Sequence, residues 1–179
     1  MTMTLNRSAY GALSRLLDYP KAGFCEAAEE WVAQIANECP KAGEALQPFI
    51  AYLAEGTAEQ LEELYCLTFD NNPTAALELG WHLYGEAYER GSFLVAMRQV
   101  LREHNIDERS ELPDHLSSVL QAMSVCDDKK AFKLATEAVK PAVRKIIVSL
   151  TAGQNPYEPV LDAVLEVVRL HIKETHSSS

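Results

Sequence analysis

The 179-residue chain has no run of about 18 apolar residues, so nothing in it reads as a bilayer-spanning helix. Its opening, "MTMTLNRSAYGALSRLL", lacks a basic stretch followed by an apolar core. No secretory signal is readable there, and the cytoplasm is the expected compartment. Cysteine is sparse. Cys25, Cys39, Cys66 and Cys126 stand 14, 27 and 60 residues apart with no C-x-x-C pair. That spacing argues against both a disulfide framework and a zinc cage. Positive charge is short too: 16 Lys and Arg against 26 Asp and Glu give a formal charge of −10. Nucleic-acid binding draws on basic patches, so nucleic acid is not an expected partner.

Catalytic motifs are missing in the same way. The chain has no Gly-rich phosphate loop, no H-E-x-x-H and no nucleophile elbow. His82, His104, His115, His171 and His176 show no ligand spacing; His171 and His176 are five apart and do not share a helix face well. Asp114–His115 is an adjacent acid–imidazole pair without further ligands. Its bland reading is a carboxylate at the positive end of a helix that starts near Pro113. No enzyme, no metal site and no stably bound cofactor are expected.

What the sequence has in quantity is helical periodicity. Tyr10, Leu13, Leu16 and Leu17 form one apolar stripe, stopped by Pro20. Ala28, Trp31, Val32 and Ile35 form a second, and Leu46, Phe49, Ile50 and Leu53 a third that ends at Gly56. "TAEQ" (57–60) reads as a capping box ahead of Leu61, Leu64 and Tyr65. Phe93 to Leu101 and Leu116 to Met123 repeat the pattern, and Asn105 can close the first of these. Ala135 to Leu150 contains Pro141, which must kink it or start its second half. "TAGQNP" (151–156) reads as a turn, Val160 to Val168 as the last stripe, and 174–179 as a frayed tail. No alternating β-branched run occurs. The expectation is all-α: one domain over 1–179, a bundle of about seven or eight helices.

One segment does not fit plain bundle logic. Residues 70–91, "DNNPTAALELGWHLYGEAYERG", crowd Trp81, His82, Tyr84 and Tyr88 around three glycines. Aromatic rings give wide apolar surface at low entropic cost. Asp70, Glu86, Glu89 and Asp114 can meet cationic side chains, and Gly80 and Gly85 permit sharp turns or close approach. This is the chemistry of a peptide-binding groove. An ordinary core contact explains Trp81 and Tyr84 equally well. His82 reads as a hydrogen-bonded structural histidine, and Arg90 as the partner of Glu86 four residues earlier.

Three stretches in order, "LEELYCLTFD" (61–70), "WHLYGEAYERG" (81–91) and "ELPDHL" (111–116), resemble the NarJ-type, or delta-subunit, chaperones of respiratory nitrate reductase. These lie within the wider TorD/DmsD group of redox-enzyme maturation proteins. "SRLLDYP" (14–20) and "NPYEPVLDAVL" (155–165) fit as well, so the likeness covers roughly 9–170. The resemblance implies a TorD-like all-helical fold, monomeric or homodimeric, without insertion into the membrane. It implies binding to the N-terminal segment of a molybdoenzyme catalytic subunit, which may carry a twin-arginine signal, while molybdopterin guanine dinucleotide is inserted. Proteins of molybdenum cofactor biosynthesis are further implied partners. On this basis the candidate peptide-binding residues are Asp70, Trp81, His82, Tyr84, Glu86, Tyr88, Arg90, Glu111, Asp114, His115 and Leu116, with Glu111 as the acidic residue before Pro–Asp–His. The stretch "NNPTAALELG" fits the nitrate-reductase branch. A related molybdenum oxidoreductase as client, and a permanent subunit of such a complex, stay open.

Overall fold

The computed structural model describes residues 5–152 and 154–178. Gly153 of the expected turn and Ser179 of the expected tail lie outside the described residues. Regular structure among the described residues is helical throughout, as the periodicity predicts. The segments are α1 (Ser8–Leu16), α2 (Phe24–Glu38), α3 (Pro40–Ala45), α4 (Gln47–Glu55), α5 (Ala58–Tyr65), α6 (Leu79–Tyr84), α7 (Tyr88–Glu103), α8 (Leu116–Val125), α9 (Asp128–Leu134), α10 (Lys140–Thr151) and α11 (Glu158–Ser177). A single residue, Leu46, separates α3 from α4, and a wide π turn over Ala135–Val139 joins α9 to α10. Counted as continuous rods, these are nine helices among the described residues. The short α6, which no predicted stripe covers, makes up the difference from the expected eight.

The apolar stripes are what the fold buries. Tyr10, Leu13, Leu16 and Leu17 of the first stripe are all 0% exposed. Helix α1 packs chiefly on α8 and α2, while α11 lies along α3 and α10. Phe49, Tyr65, Phe69 and Tyr157 form one aromatic nest with ring centroids 5.1 to 5.7 Å apart. Each fully buried large side chain stabilises by roughly 1.5–3 kcal/mol. The capping box is present: the Gln60 amide donates to the Thr57 hydroxyl at 3.2 Å, and the Thr57 amide donates to Gln60 Oε1 at 3.0 Å. Asn105 closes α7 in the left-handed region at φ 54°. Pro141 falls in the first turn of α10, directly after the π turn, where a missing N–H is tolerated.

Two local expectations change. Helix α8 begins at Leu116 with His115 as its N-cap, so Pro113 lies ahead of it and not in its first turn. Helix α11 continues to Ser177, into the stretch expected to fray.

The connection into α8 also forms a backbone clamp. Glu78 and His115 make an isolated antiparallel bridge. The Leu79 amide donates to the Asp114 carbonyl at 3.0 Å, and the Leu116 amide to the Leu77 carbonyl at 2.8 Å. The segment 77–80 is thereby fastened to 114–116, which fixes α6 against the start of α8.

Candidate functional site

A cavity of about 540 Å³ opens between the end of α1, the first turns of α2 and the 109–118 connection. Local sequence explains its shape. Pro20 and Gly23, the latter at φ 86°, turn the chain sharply out of α1 and into α2. This leaves Tyr19, Phe24 and Trp31 facing the space instead of an adjacent helix. Phe24 and Trp31 meet edge-on at 5.4 Å, and Tyr19 meets Tyr65 edge-on at 5.6 Å. Tyr19 is further held by its hydroxyl, which donates to Glu62 at 2.9 Å.

Charge is distributed around these rings. Arg109 and Asp18 pair at 2.6 Å, and the Ser117 hydroxyl donates to the same Asp18 carboxylate. Arg15, Lys21 and Glu111 line the remaining edge. Desolvation, then the neighbouring carboxylates of Glu78, Asp70 and Asp18, push the Glu111 carboxyl above its usual range. His115 is 4% exposed, and its Nδ1 accepts the Ser117 amide at 3.2 Å. Burial lowers its pKa to about 4, so the ring is neutral at pH 7 and its proton sits on Nε2. The cavity is therefore amphiphilic: aromatic walls, an ion pair and further charges of both signs along its edge.

The structure divides the candidate residues between two places. Glu111 and His115 line the cavity. Asp70 is exposed at the end of the π turn Cys66–Asp70 and acts on Glu111 through charge alone. Trp81, His82, Tyr84, Glu86, Tyr88 and Arg90 sit on a separate knuckle formed by α6 and α7. There the Trp81 indole donates to the Pro73 carbonyl at 3.1 Å. His82 Nε2 meets the Ala76 carbonyl at 2.5 Å, the structural role the sequence suggested, and burial lowers its pKa. Tyr84 tilts against Phe93 at 5.9 Å and is 39% exposed, while Tyr88 is 86% exposed.

Three expectations are corrected here. Arg90 does not bridge to Glu86. Glu86 precedes α7, and the Arg90 guanidinium stands 5.7 Å from the centroid of the Trp81 ring, with its Nε buried and unpartnered. Asp114 is a carboxylate at a helix start, but of α6 and not α8: its Oδ2 accepts the Gly80 amide at 2.9 Å. Its other oxygen is buried without a partner, and burial raises its pKa. Leu116 and Asp114 are both 0% exposed, so neither offers surface to another chain. Gly80 is needed for close approach, since a Cβ there would lie 2.7 Å from Asp114 Oδ2. Gly85 is needed for its φ of 58°, which turns the chain out of α6.

Sequence reasoning missed Asp18, Tyr19, Phe24, Trp31 and Arg109 as neighbours of His115. A signal existed in "DYPKAGF" (18–24), where aromatic residues flank a proline and a glycine. Such a turn leaves rings without a helix to pack on.

Comparison with known proteins bears on this site. The family described as nitrate reductase delta subunit matches residues 19–161, a span that begins at Tyr19 and contains the 109–118 connection. The nitrate reductase molybdenum cofactor assembly chaperone NarJ of Escherichia coli strain K12 is 26% identical over 164 residues. The aligned region covers 89% of this chain and 69% of that protein. NarJ of Escherichia coli O157:H7 aligns with the same identity and coverage.

Proposed function

Because the chain belongs to the nitrate reductase delta-subunit family, we propose that it is a molybdenum cofactor assembly chaperone for a nitrate reductase, acting in the cytoplasm. Its client is the N-terminal segment of the reductase catalytic subunit. The chaperone holds that subunit while molybdopterin guanine dinucleotide is inserted and before the enzyme attaches to the membrane. The cofactor belongs to the client; the chaperone supplies a binding surface and makes no bonds.

The observation that carries this reading is that Glu111 and His115 of the "ELPDHL" connection, which bears the family resemblance, line the aromatic cavity. A leading segment of another chain is flexible, so it loses conformational freedom on binding. Rigid rings return the most contact per unit of lost freedom, and they are already held before a partner arrives, Phe24 edge-on to Trp31 and Tyr19 edge-on to Tyr65. Burying three to five large apolar side chains at roughly 1.5–3 kcal/mol each offsets that ordering and reaches the ~8 kcal/mol of a micromolar complex. Arg15, Lys21 and Glu111 at the mouth set orientation and association rate more than affinity. The neutral His115, donating from Nε2, offers a hydrogen bond to a backbone carbonyl of the segment.

Calorimetry with the full chaperone and a synthetic peptide from the N-terminus of the catalytic subunit tests the reading. Saturable heat at micromolar peptide, abolished in Trp31→Ala, is the expected result. No heat at tens of micromolar peptide with folded protein overturns it.

A further inference from the structure

The carboxylates of this acidic chain are not spread evenly. Between Glu137 and Glu158 there is no Asp or Glu at all, and helix α10 inside that interval carries Lys140, Arg144 and Lys145. Lys145 is accounted for: its ammonium donates to the His82 carbonyl at 2.7 Å and ties α10 to α6. Lys140 and Arg144, one helical turn apart, point to a different use. Among the described residues neither side chain has an ion-pair or hydrogen-bond partner. Both line a small recess of about 80 Å³ between α10 and α11, together with Leu165, Val168 and Arg169.

From this arrangement we infer that the α10–α11 recess is an anion site that takes one phosphate group. Arg169 is the one cation of the three with a carboxylate, pairing with Glu166 of its own helix at 2.9 Å. The charges of Lys140 and Arg144 are left uncompensated. A chain with ten surplus negative charges could have neutralised them from any neighbouring element. Like charges gathered at one recess repel, and a bound anion removes that cost. The donor set suits a tetrahedral oxyanion: a planar guanidinium fork from Arg144, and a mobile ammonium from Lys140 acting as a point charge. The space is that of about two or three waters at ~30 Å³ each, enough for one phosphate group and too small for a ring system. The recess lies outside the aromatic cavity and shares no residue with it, so the inference stands apart from the proposed client binding.

The test uses the full chain and inorganic phosphate, titrated at constant ionic strength against chloride and followed by phosphorus NMR line broadening. Saturable broadening in the millimolar range is expected, weakened at least about tenfold in Lys140→Gln with Arg144→Gln. Lys129→Gln with Lys133→Gln, the same charge change on α9, should leave it unaltered. Glu166→Gln frees Arg169 and should tighten binding. A second titration with glycerol phosphate separates the sources of the group. Equal affinity marks the recess as a seat for the phosphate end of a larger molecule, and binding of inorganic phosphate alone marks it as a seat for the free ion. Absence of saturable binding overturns the inference. So do equal losses in the α9 and α10 variants, or unchanged or weakened binding in Glu166→Gln.

Discussion

Asp114 and Gly80, 34 residues apart in the chain, are joined by a 2.9 Å hydrogen bond from the glycine amide to the carboxylate. The same contact explains why residue 80 has no side chain. A Cβ would stand 2.7 Å from Asp114 Oδ2 and 3.2 Å from both Arg90 Cγ and Phe93 Cδ1. Asp114 is thus a brace between α6 and the start of α8.

Gly80→Ala should lower stability by about 1–3 kcal/mol through overpacking. Asp114→Ala should cost a similar amount, because the Gly80 amide loses its acceptor. The double variant should cost clearly less than the two together, since removing the carboxylate makes room for the new methyl. Urea unfolding of the four proteins checks this, with the midpoint shifting and the slope unchanged. Simple additivity would show that the two residues act independently.

Acid should weaken the fold through His115. The unfolded chain takes up a proton near pH 6.5, whereas the folded ring resists one until about pH 4. The unfolded state therefore binds more protons in that window, and stability falls as pH drops through it, by roughly 3 kcal/mol in all. His82 and His171, also lowered by burial, act in the same direction. Asp114 and Glu111 act oppositely: their raised pKa values let the folded state keep protons just above the usual carboxylate range. His115→Asn, which can still cap α8, should flatten the decline between pH 6.5 and 4. Thermal melts across that range read the difference, and an unchanged slope would mean that the imidazole titrates normally.

The two tryptophans report on different places. Trp31 lines the cavity, while Trp81 is pinned to Pro73 on the α6–α7 knuckle. Client peptide should shift the emission of Trp81→Phe protein, where Trp31 is the remaining indole, and leave Trp31→Phe protein unchanged. The reverse pattern would move the binding surface to the knuckle.

Tyr88 is 86% exposed at the first turn of α7. Tyr88→Ala should alter stability by less than about 0.5 kcal/mol. It should also leave peptide affinity within twofold, whereas Phe24→Ala should weaken affinity at least about tenfold. Equal losses from both would require a contact surface that spans both regions.

The helices were readable because their stripes are continuous. Leu116, Val119, Leu120 and Met123 follow helical spacing, and all four are 0% exposed. The Thr57–Gln60 box and the left-handed Asn105 were readable because each depends on its immediate neighbours. The site was harder to see, since it depends on distant ones. Whether Asp114 serves α6 or α8 is decided by where residue 80 comes to lie, and nothing within "ELPDHL" states that. Trp31 fits its own helical stripe as a core residue, yet the turn at Gly23 leaves it beside an opening. Arg90 sits four residues after Glu86, but α7 starts only at Tyr88, so the two never share a helix.

The cavity walls come from Arg15 to Trp31, from Tyr65, and from Arg109 to Ser118. During synthesis the first wall, complete at Trp31, waits for the chain to reach Arg109 and Ser118 before the cavity can close. A truncated or half-folded copy consequently lacks the complete cavity on which the proposed client binding depends. Completeness of the chaperone itself becomes the first checkpoint in any assembly line it serves.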